Sequence, residues 1–350
     1  MRILFVDDEP LILEGLQNLL RRFRKKWKMS FAAGGDEALE WLQKDSFDIV
    51  VTDMRMPGLS GADILQRVRD HHPGTARIML SGYSEEETIL QALPVAHQYM
   101  SKPCDPVILQ RIIENLVAGI EELEHPKLAQ ASSQLGAPLT PPQTLETLQT
   151  LLEDAEHNSD AIHRLVASDI GLTARLIQIV SSSFFGRPQA VNDVGQAIHY
   201  LGLPMLNKLV HQVGIFNTHV PGDAAGQEKF LNLQKDVQRF SQHVAVLLGE
   251  GPEGGPATTG SMLVALSSLA LIQMGDIVES TPKIENRLNQ FILRLWGLPE
   301  KLVNLSRWLD NRPDGSTLEV PHAIYAARHV WLNRGSQEAG LDVEFLKSLG

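Results

Sequence analysis

Three carboxylates stand where short apolar runs end. Asp7 and Asp8 follow Ile3–Val6, and Asp53 follows Ile49–Thr52. If these runs are neighbouring strands, the three side chains converge on one edge of a sheet. Crowded like charges raise one another's pKa unless a cation neutralises them. Mg²⁺, a hard ion that takes few protein oxygens and keeps several waters, meets that need. For the carboxylates alone, an ordinary acidic surface loop explains the pattern as well. Two further residues change the balance. Ser81 ends Arg77–Ser81, and Lys102, followed by Pro103, ends a run through Gln98–Ser101. A hydroxyl and an ammonium beside three carboxylates form a set able to handle phosphoryl groups. Asp53 is the candidate nucleophile, giving an acyl phosphate. Mg²⁺ and Lys102 offset the charge of the transferring group, and Ser81 donates a hydrogen bond to it once attached.

The elements that must position these residues alternate. Ile3–Val6, Ile49–Thr52, Arg77–Ser81, Gln98–Ser101 and a stretch near Met29–Ala33 read as buried parallel strands. Leu11–Phe23, Asp36–Lys44, Gly61–Asp70, Glu85–Leu93 and Asp105–Leu123 carry helical spacing. That rhythm predicts a doubly wound α/β fold with a five-stranded parallel sheet, whose site lies beyond the C-terminal strand ends.

The segments Asp7-Asp8-Glu9-Pro10, Asp53-Met54-Arg55-Met56-Pro57-Gly58, Ser81-Gly82-Tyr83 and Ser101-Lys102-Pro103 occur in this order. In content and spacing the first 120 residues resemble the receiver domain of two-component response regulators. The resemblance implies Asp53 as phosphoacceptor for a sensor histidine kinase. It also implies Mg²⁺ held by Asp8, Asp53 and the backbone carbonyl of Arg55, with Asp7 assisting. It implies a switch in which Ser81 moves toward the phosphoryl group and Tyr99 turns inward, and often a cis peptide at a position matching Lys102–Pro103.

Charge and composition narrow the remaining classes. The formal net charge is −11, which opposes binding to nucleic acid or an anionic membrane through bulk electrostatics. The basic stretch Arg21–Lys28 ends an amphipathic helix, where cations suit the helix dipole. Cys104 is the only cysteine, which excludes an intramolecular disulfide and fits a reducing compartment. No apolar run is expected to reach the roughly 18 residues that span a bilayer. Together these features predict a cytoplasmic protein with no membrane partner. Gly34-Gly35-Asp36-Glu37-Ala38-Leu39 superficially resembles two signatures of cyclic-di-GMP enzymes, yet it lies at a helix entry with no room for either catalytic domain.

Beyond the receiver-like part, residues 121–142 read as a helical, Pro-rich linker, with Pro138, Pro141 and Pro142 near its end. Residues 143–335 carry almost wholly helical patterns, and residues 336–350 form a tail. Asp169 is a plausible N-cap, and Pro204 and Pro299 suit helix starts at Met205–Ile215 and Glu300–Leu309. Gly249–Gly260 reads as a Gly/Pro-rich loop. His157, His163, His199, His211, His219, His243, His322 and His329 are scattered singly, and no His-Asp dipeptide occurs. The blocks Ser168–Leu176, Val180–Gly186, Val194–Gly202 and Leu295–Pro299 resemble the HDOD domain, a helical relative of His-Asp hydrolases that lacks their metal ligands. Where those hydrolases carry His-Asp, this chain has Leu269-Ala270 in an apolar segment, Ala265–Met274.

The sequence thus predicts a response regulator: an α/β receiver, a linker and an all-α output domain that signals through protein contacts rather than catalysis. Its expected partners are a sensor histidine kinase and a downstream signalling protein of unknown identity, with self-association as a further possibility. Two alternatives place other chemistry in the helical part: a cryptic cyclic-dinucleotide phosphodiesterase, or a nucleotide-binding sensor without hydrolysis. A DNA-binding regulator is disfavoured by the net acidic C-terminal region.

Overall fold

In the computed structural model, the described residues are 1–82, 90–155, 157–182, 191, 193–212, 214–219, 224–249, 255–275, 281–306 and 324. Several expectations fall outside them: Tyr83 and most of the Glu85–Leu93 helix, Phe184-Phe185-Gly186, part of the Gly249–Gly260 loop, His322, His329 and the tail. The chain divides into two compact units, one built on residues 1–136 and the other on most of the remainder.

The first unit is a five-stranded parallel sheet. Its strands are β1 (Arg2–Val6), β2 (Lys28–Ala32), β3 (Ile49–Asp53), β4 (Ala76–Gly82) and β5 (Gln98–Lys102). Their spatial order is β2-β1-β3-β4-β5, the doubly wound arrangement whose winding reverses between β1 and β3. All of β3 is buried, as expected for a central strand covered on both faces, and its Val50 and Val51 pair with Leu4 and Phe5 of β1.

Helices α1 (Pro10–Leu19), α2 (Gly35–Lys44) and α3 (Gly61–His71) follow the first three strands. A 3₁₀ turn at Leu20–Phe23 replaces the last part of the helix expected to reach Phe23. Proline opens α1, and Ser60 caps α3 through a reciprocal pair with Asp63. The basic stretch after α1 is anchored by its aromatics. Phe23 and Trp27 stack at 4.3 Å, and Arg22 lies over the Phe23 ring.

Two helices close this unit, Pro106–Leu123 and Pro126–Gln134, the second within the segment read as a linker. Arg77, only 1% exposed, donates from Nε to Val95 O at 2.7 Å and from Nη1 to Thr75 O and Ser133 O at 3.2 Å each. Its guanidinium ties the start of β4 to the C-terminal end of the Pro126–Gln134 helix, where a cation meets the helix dipole favourably. Burial lowers its pKa to about 10, which leaves it charged at neutral pH.

The second unit is built of helices, with one isolated parallel bridge between Leu139 and Asn217 among its described residues. Its helices span Pro142–Glu153, Ser159–Ala167, Ile170–Ser181, Val194–His211, Ala224–Leu248, Pro256–Leu263, Leu266–Met274, Pro282–Leu295 and Glu300–Leu305. Ile170–Val180 is buried on every side, so this helix forms the centre of the unit. Val194–His211 is two helical stretches separated by a kink at Gly202 (φ 71°), and Pro204 stands in the first turn of the second, which ends at His211 rather than Ile215. The helix after Pro299 ends at Leu305 within the described residues.

One expectation about apolar length is corrected. Pro256–Met274, 19 residues with mean hydropathy 1.4, is long and apolar enough to cross a membrane by length and composition. Its Thr, Ser and Gly residues hid this from a search for unbroken apolar runs. It is 72% buried inside the molecule and is interrupted between Leu263 and Leu266, features of a core segment.

Candidate functional site

The parallel register brings the sequence-predicted residues to one end of the sheet. Val6 pairs with Thr52, so Asp7 and Asp53 stand side by side across the point where the winding reverses. Asp53 is the last residue of β3, and Lys102, the last of β5, pairs with Gly82. Ser81 lies next to the end of β4. The Lys102–Pro103 peptide is cis.

Lys102 is the hub. Its Nζ lies 2.7 Å from Oδ2 of Asp7 and 2.7 Å from Oδ1 of Asp53. The second oxygen of each carboxylate is held by backbone: Glu9 N donates to Asp7 Oδ1 at 3.0 Å, and Arg55 N donates to Asp53 Oδ2 at 3.1 Å. Burial raises the Asp53 carboxyl above its ordinary value, against the hydrogen bond and charge of Lys102, while Asp7 pushes it further up. Burial by itself would lower the Lys102 ammonium, but its bonds to Asp53 and Asp7 outweigh this and leave it raised. One ammonium therefore serves two buried carboxylates and remains charged.

Asp8 is half-buried, and its carboxylate makes no hydrogen bond or ion pair among the described residues. Ser81, buried, donates from Oγ to Gly82 O at 3.2 Å. Tyr99 is already turned in. It is buried, with its hydroxyl 2.8 Å from Leu93 O, 3.0 Å from Ala96 O and 3.1 Å from Ala92 O, so its one proton serves one of three acceptors at a time.

The donor set suits a hard divalent cation. Among the described residues no three His, Cys, Asp or Glu side chains are grouped to hold a metal by themselves. The free Asp8 carboxylate and the carboxylate of Asp53 fit the chemistry of Mg²⁺, which uses one or two carboxylates and keeps its waters.

Sequence reading missed Gly61. A Cβ there would lie 2.0 Å from Asp53 O, so the first turn of α3 can approach the end of β3 only without a side chain. The available signal was the glycine directly after the Ser60 cap, which reads only as a helix start.

In the helical unit three histidines are engaged locally. His163 and His211 place Nδ1 2.8 Å from the carbonyls four residues earlier, and His157 lies 2.8 Å from Asp154. The notable polar group is Asp169, which caps Ile170–Ser181. Its Oδ1 accepts from Leu172 N at 2.7 Å and Thr140 Oγ1 at 3.1 Å, and its Oδ2 accepts from Gln234 Nε2 at 2.9 Å. Burial lifts its pKa to about 6 in spite of these donors.

Comparison with known proteins places both halves. Residues 3–114 match the response regulator receiver domain family, and residues 139–311 match the HDOD domain family. The chain is 37% identical over 131 residues to the response regulator protein PilR of Pseudomonas aeruginosa, covering 37% of this chain and 28% of PilR. It is 30% identical over 135 residues to the transcriptional activator protein ExaE of Pseudomonas putida, covering 38% of this chain and 63% of ExaE. The chain thus spans less than two thirds of either relative. Among solved structures, the receiver domain of an HD domain-containing protein from Pseudomonas fluorescens Pf-5 is 31% identical, covering 36% of this chain and 96% of that one, with a TM-score of 0.31. The chain belongs with the two-component response regulators, joining an N-terminal receiver domain to a C-terminal HDOD domain.

Proposed function

We propose that the chain accepts a phosphoryl group on Asp53 from a sensor histidine kinase and passes the signal on through contacts of its HDOD domain. The observation that carries this reading is the position of Lys102 Nζ, 2.7 Å from both Asp7 and Asp53, beside the unpaired Asp8 carboxylate. In the transfer an oxygen of Asp53 forms a bond to phosphorus as the bond from phosphorus to the kinase histidine nitrogen breaks. Lys102 meets the charge on the phosphoryl oxygens, and Ser81 turns its hydroxyl from Gly82 O to the attached group. Asp8, Asp53 and the carbonyl of Arg55 would hold Mg²⁺, with Asp7 assisting. The bound ion supplies positive charge opposite the phosphoryl oxygens.

The product replaces one carboxylate charge with close to two negative charges at a rigid sheet edge. Such a local change biases a two-state surface elsewhere, and Ser81 and Tyr99 are the proposed switch residues. Leu269 and Ala270 are buried in an apolar helix, and the HDOD resemblance implies that they stand where the related hydrolases carry His-Asp. That supports a non-catalytic role exercised on a downstream protein in the cytoplasm.

The test compares the Mg²⁺–beryllofluoride form of the whole chain with Asp53→Ala. Sedimentation and cross-linking report self-association, and capture from lysate reports partners. A change confined to the wild-type chain is expected. Identical association and retention in both would remove the switching part of the proposal.

A further inference from the structure

The helical unit contains a cavity of about 430 Å³, within the range of small-molecule sites. Four helices line it, with Leu151 contributed by Pro142–Glu153, and two of the others carry a spacing that presents one continuous face. Ala161, Arg164, Leu165 and Ser168 come from the Ser159–Ala167 helix and its C-terminal cap at i, i+3, i+4 and i+7. Gln238, Ser241, Gln242 and Ala245 repeat that spacing on Ala224–Leu248, and Thr258 and Met262 close the wall from Pro256–Leu263.

The chemistry of the lining is uneven. Met262 and Ser241 are each 1% exposed and form a floor away from solvent. The hydroxyls are largely spent within the protein, Ser168 on Leu165 O at 2.8 Å and Ser241 on Thr258 O at 3.4 Å. Arg164, Gln238 and Gln242 keep their donors. Among the described residues none of these three side chains has a hydrogen-bond or ion-pair partner. No Asp or Glu lines the cavity, in a chain of net charge −11. A cavity lined by an unpaired guanidinium, two carboxamides and the apolar Leu165, Ala245 and Met262 is a receptor for one planar anionic group carried on an apolar body. A single cation leaves the second charge of a dinucleotide or diphosphate without a partner.

We propose that this cavity binds a small organic monoanion, an aromatic or aliphatic carboxylate, with Arg164 paired to the carboxylate and the apolar body against Leu165, Ala245 and Met262. The site lies wholly within the helical unit and does not require phosphorylation of Asp53.

Calorimetric titration of the full chain with naphthalene-2-carboxylate and, separately, its neutral counterpart naphthalene-2-carboxamide tests the proposal. One saturable site for the carboxylate is expected, with the carboxamide weaker by about tenfold, the scale of a charge-assisted hydrogen bond. Arg164→Gln, a change at an exposed position, is expected to weaken the carboxylate by about the same factor. Arg239→Gln, also exposed and on the neighbouring helix, leaves it unchanged. Absence of saturable carboxylate binding, equal affinity for the two probes, or full affinity in Arg164→Gln would each overturn the assignment.

Discussion

A Cβ on Gly61 would lie 2.0 Å from the carbonyl oxygen of Asp53, and Gly61 N donates to Met54 O at 3.0 Å. The first turn of α3 therefore rests on the backbone of the proposed phosphoacceptor. Backbone cannot yield as a flexible side chain does, so Gly61→Ala must displace either the helix or the end of β3. The expected cost is about 1–3 kcal/mol in urea unfolding, accompanied by slower phosphoryl uptake from a small acyl phosphate. Wild-type stability in this variant would show that the approach is looser than the geometry states.

Lys102 separates two buried carboxylates. Lys102→Met is expected to cost about 2 kcal/mol in metal-free buffer, because Asp7 and Asp53 then face each other without a cation. Excess Mg²⁺ should recover part of the loss by binding the folded form alone. The pairing of Lys102→Met with Asp53→Asn should be more stable than Lys102→Met alone. Additive costs in this double-mutant cycle would contradict the coupling.

Asp169 gives the helical unit a pH dependence. Its folded pKa of about 6 exceeds the ordinary 3.8, so between these values the folded state binds more protons. The stability it contributes is complete below about pH 3.8 and disappears as pH rises through about 6. Relative to Asp169→Asn, the wild-type chain should therefore be about 1 kcal/mol better off at pH 5 than at pH 7.5. Urea unfolding of both chains at the two pH values measures this difference, and a gap that widens with rising pH would reverse the sign.

Arg77 is a buried cation held by three carbonyls and by the ring of His97, 2.8 Å from Nη2. Arg77→Met leaves the oxygens of Val95, Thr75 and Ser133 without their donor, at an expected cost of about 3 kcal/mol. Arg77→Lys should recover only a minor share, since one ammonium cannot reproduce the fork that reaches all three. Thermal unfolding of the two variants checks the ranking, and equal stability of Arg77→Lys and wild type would sink it.

The receiver fold was legible because its signals are local. β-branched runs such as Ile49–Thr52 mark buried strands, and parallel strands in sequence place their ends together, which brings Asp7, Asp53, Ser81 and Lys102 to one edge. What stayed hidden depends on distant partners. Asp169 could be read as a cap, but Thr140 and Gln234 lie 29 and 65 positions away, and no spacing rule links them. Arg77 bonds three carbonyl oxygens, which have no residue identity to read, and the His97 ring 20 positions away, which no spacing rule links to it. Gly61 looks like any glycine at a helix start until the path of β3 is known. Pro204 was a correct sign of a helix start, and the non-helical Gly202 just before it is what separates the two helical stretches of Val194–His211.

The most direct measurement is the site of phosphoryl attachment. The full chain is incubated with Mg²⁺ and a small acyl phosphate, then its intact mass and peptides are read by mass spectrometry, with Asp53→Asn alongside. The account predicts one added phosphoryl group, labile to hydroxylamine, on the peptide containing Asp53 and absent from the variant. An unmodified wild-type chain, or a phosphoryl group retained by Asp53→Asn, would contradict it.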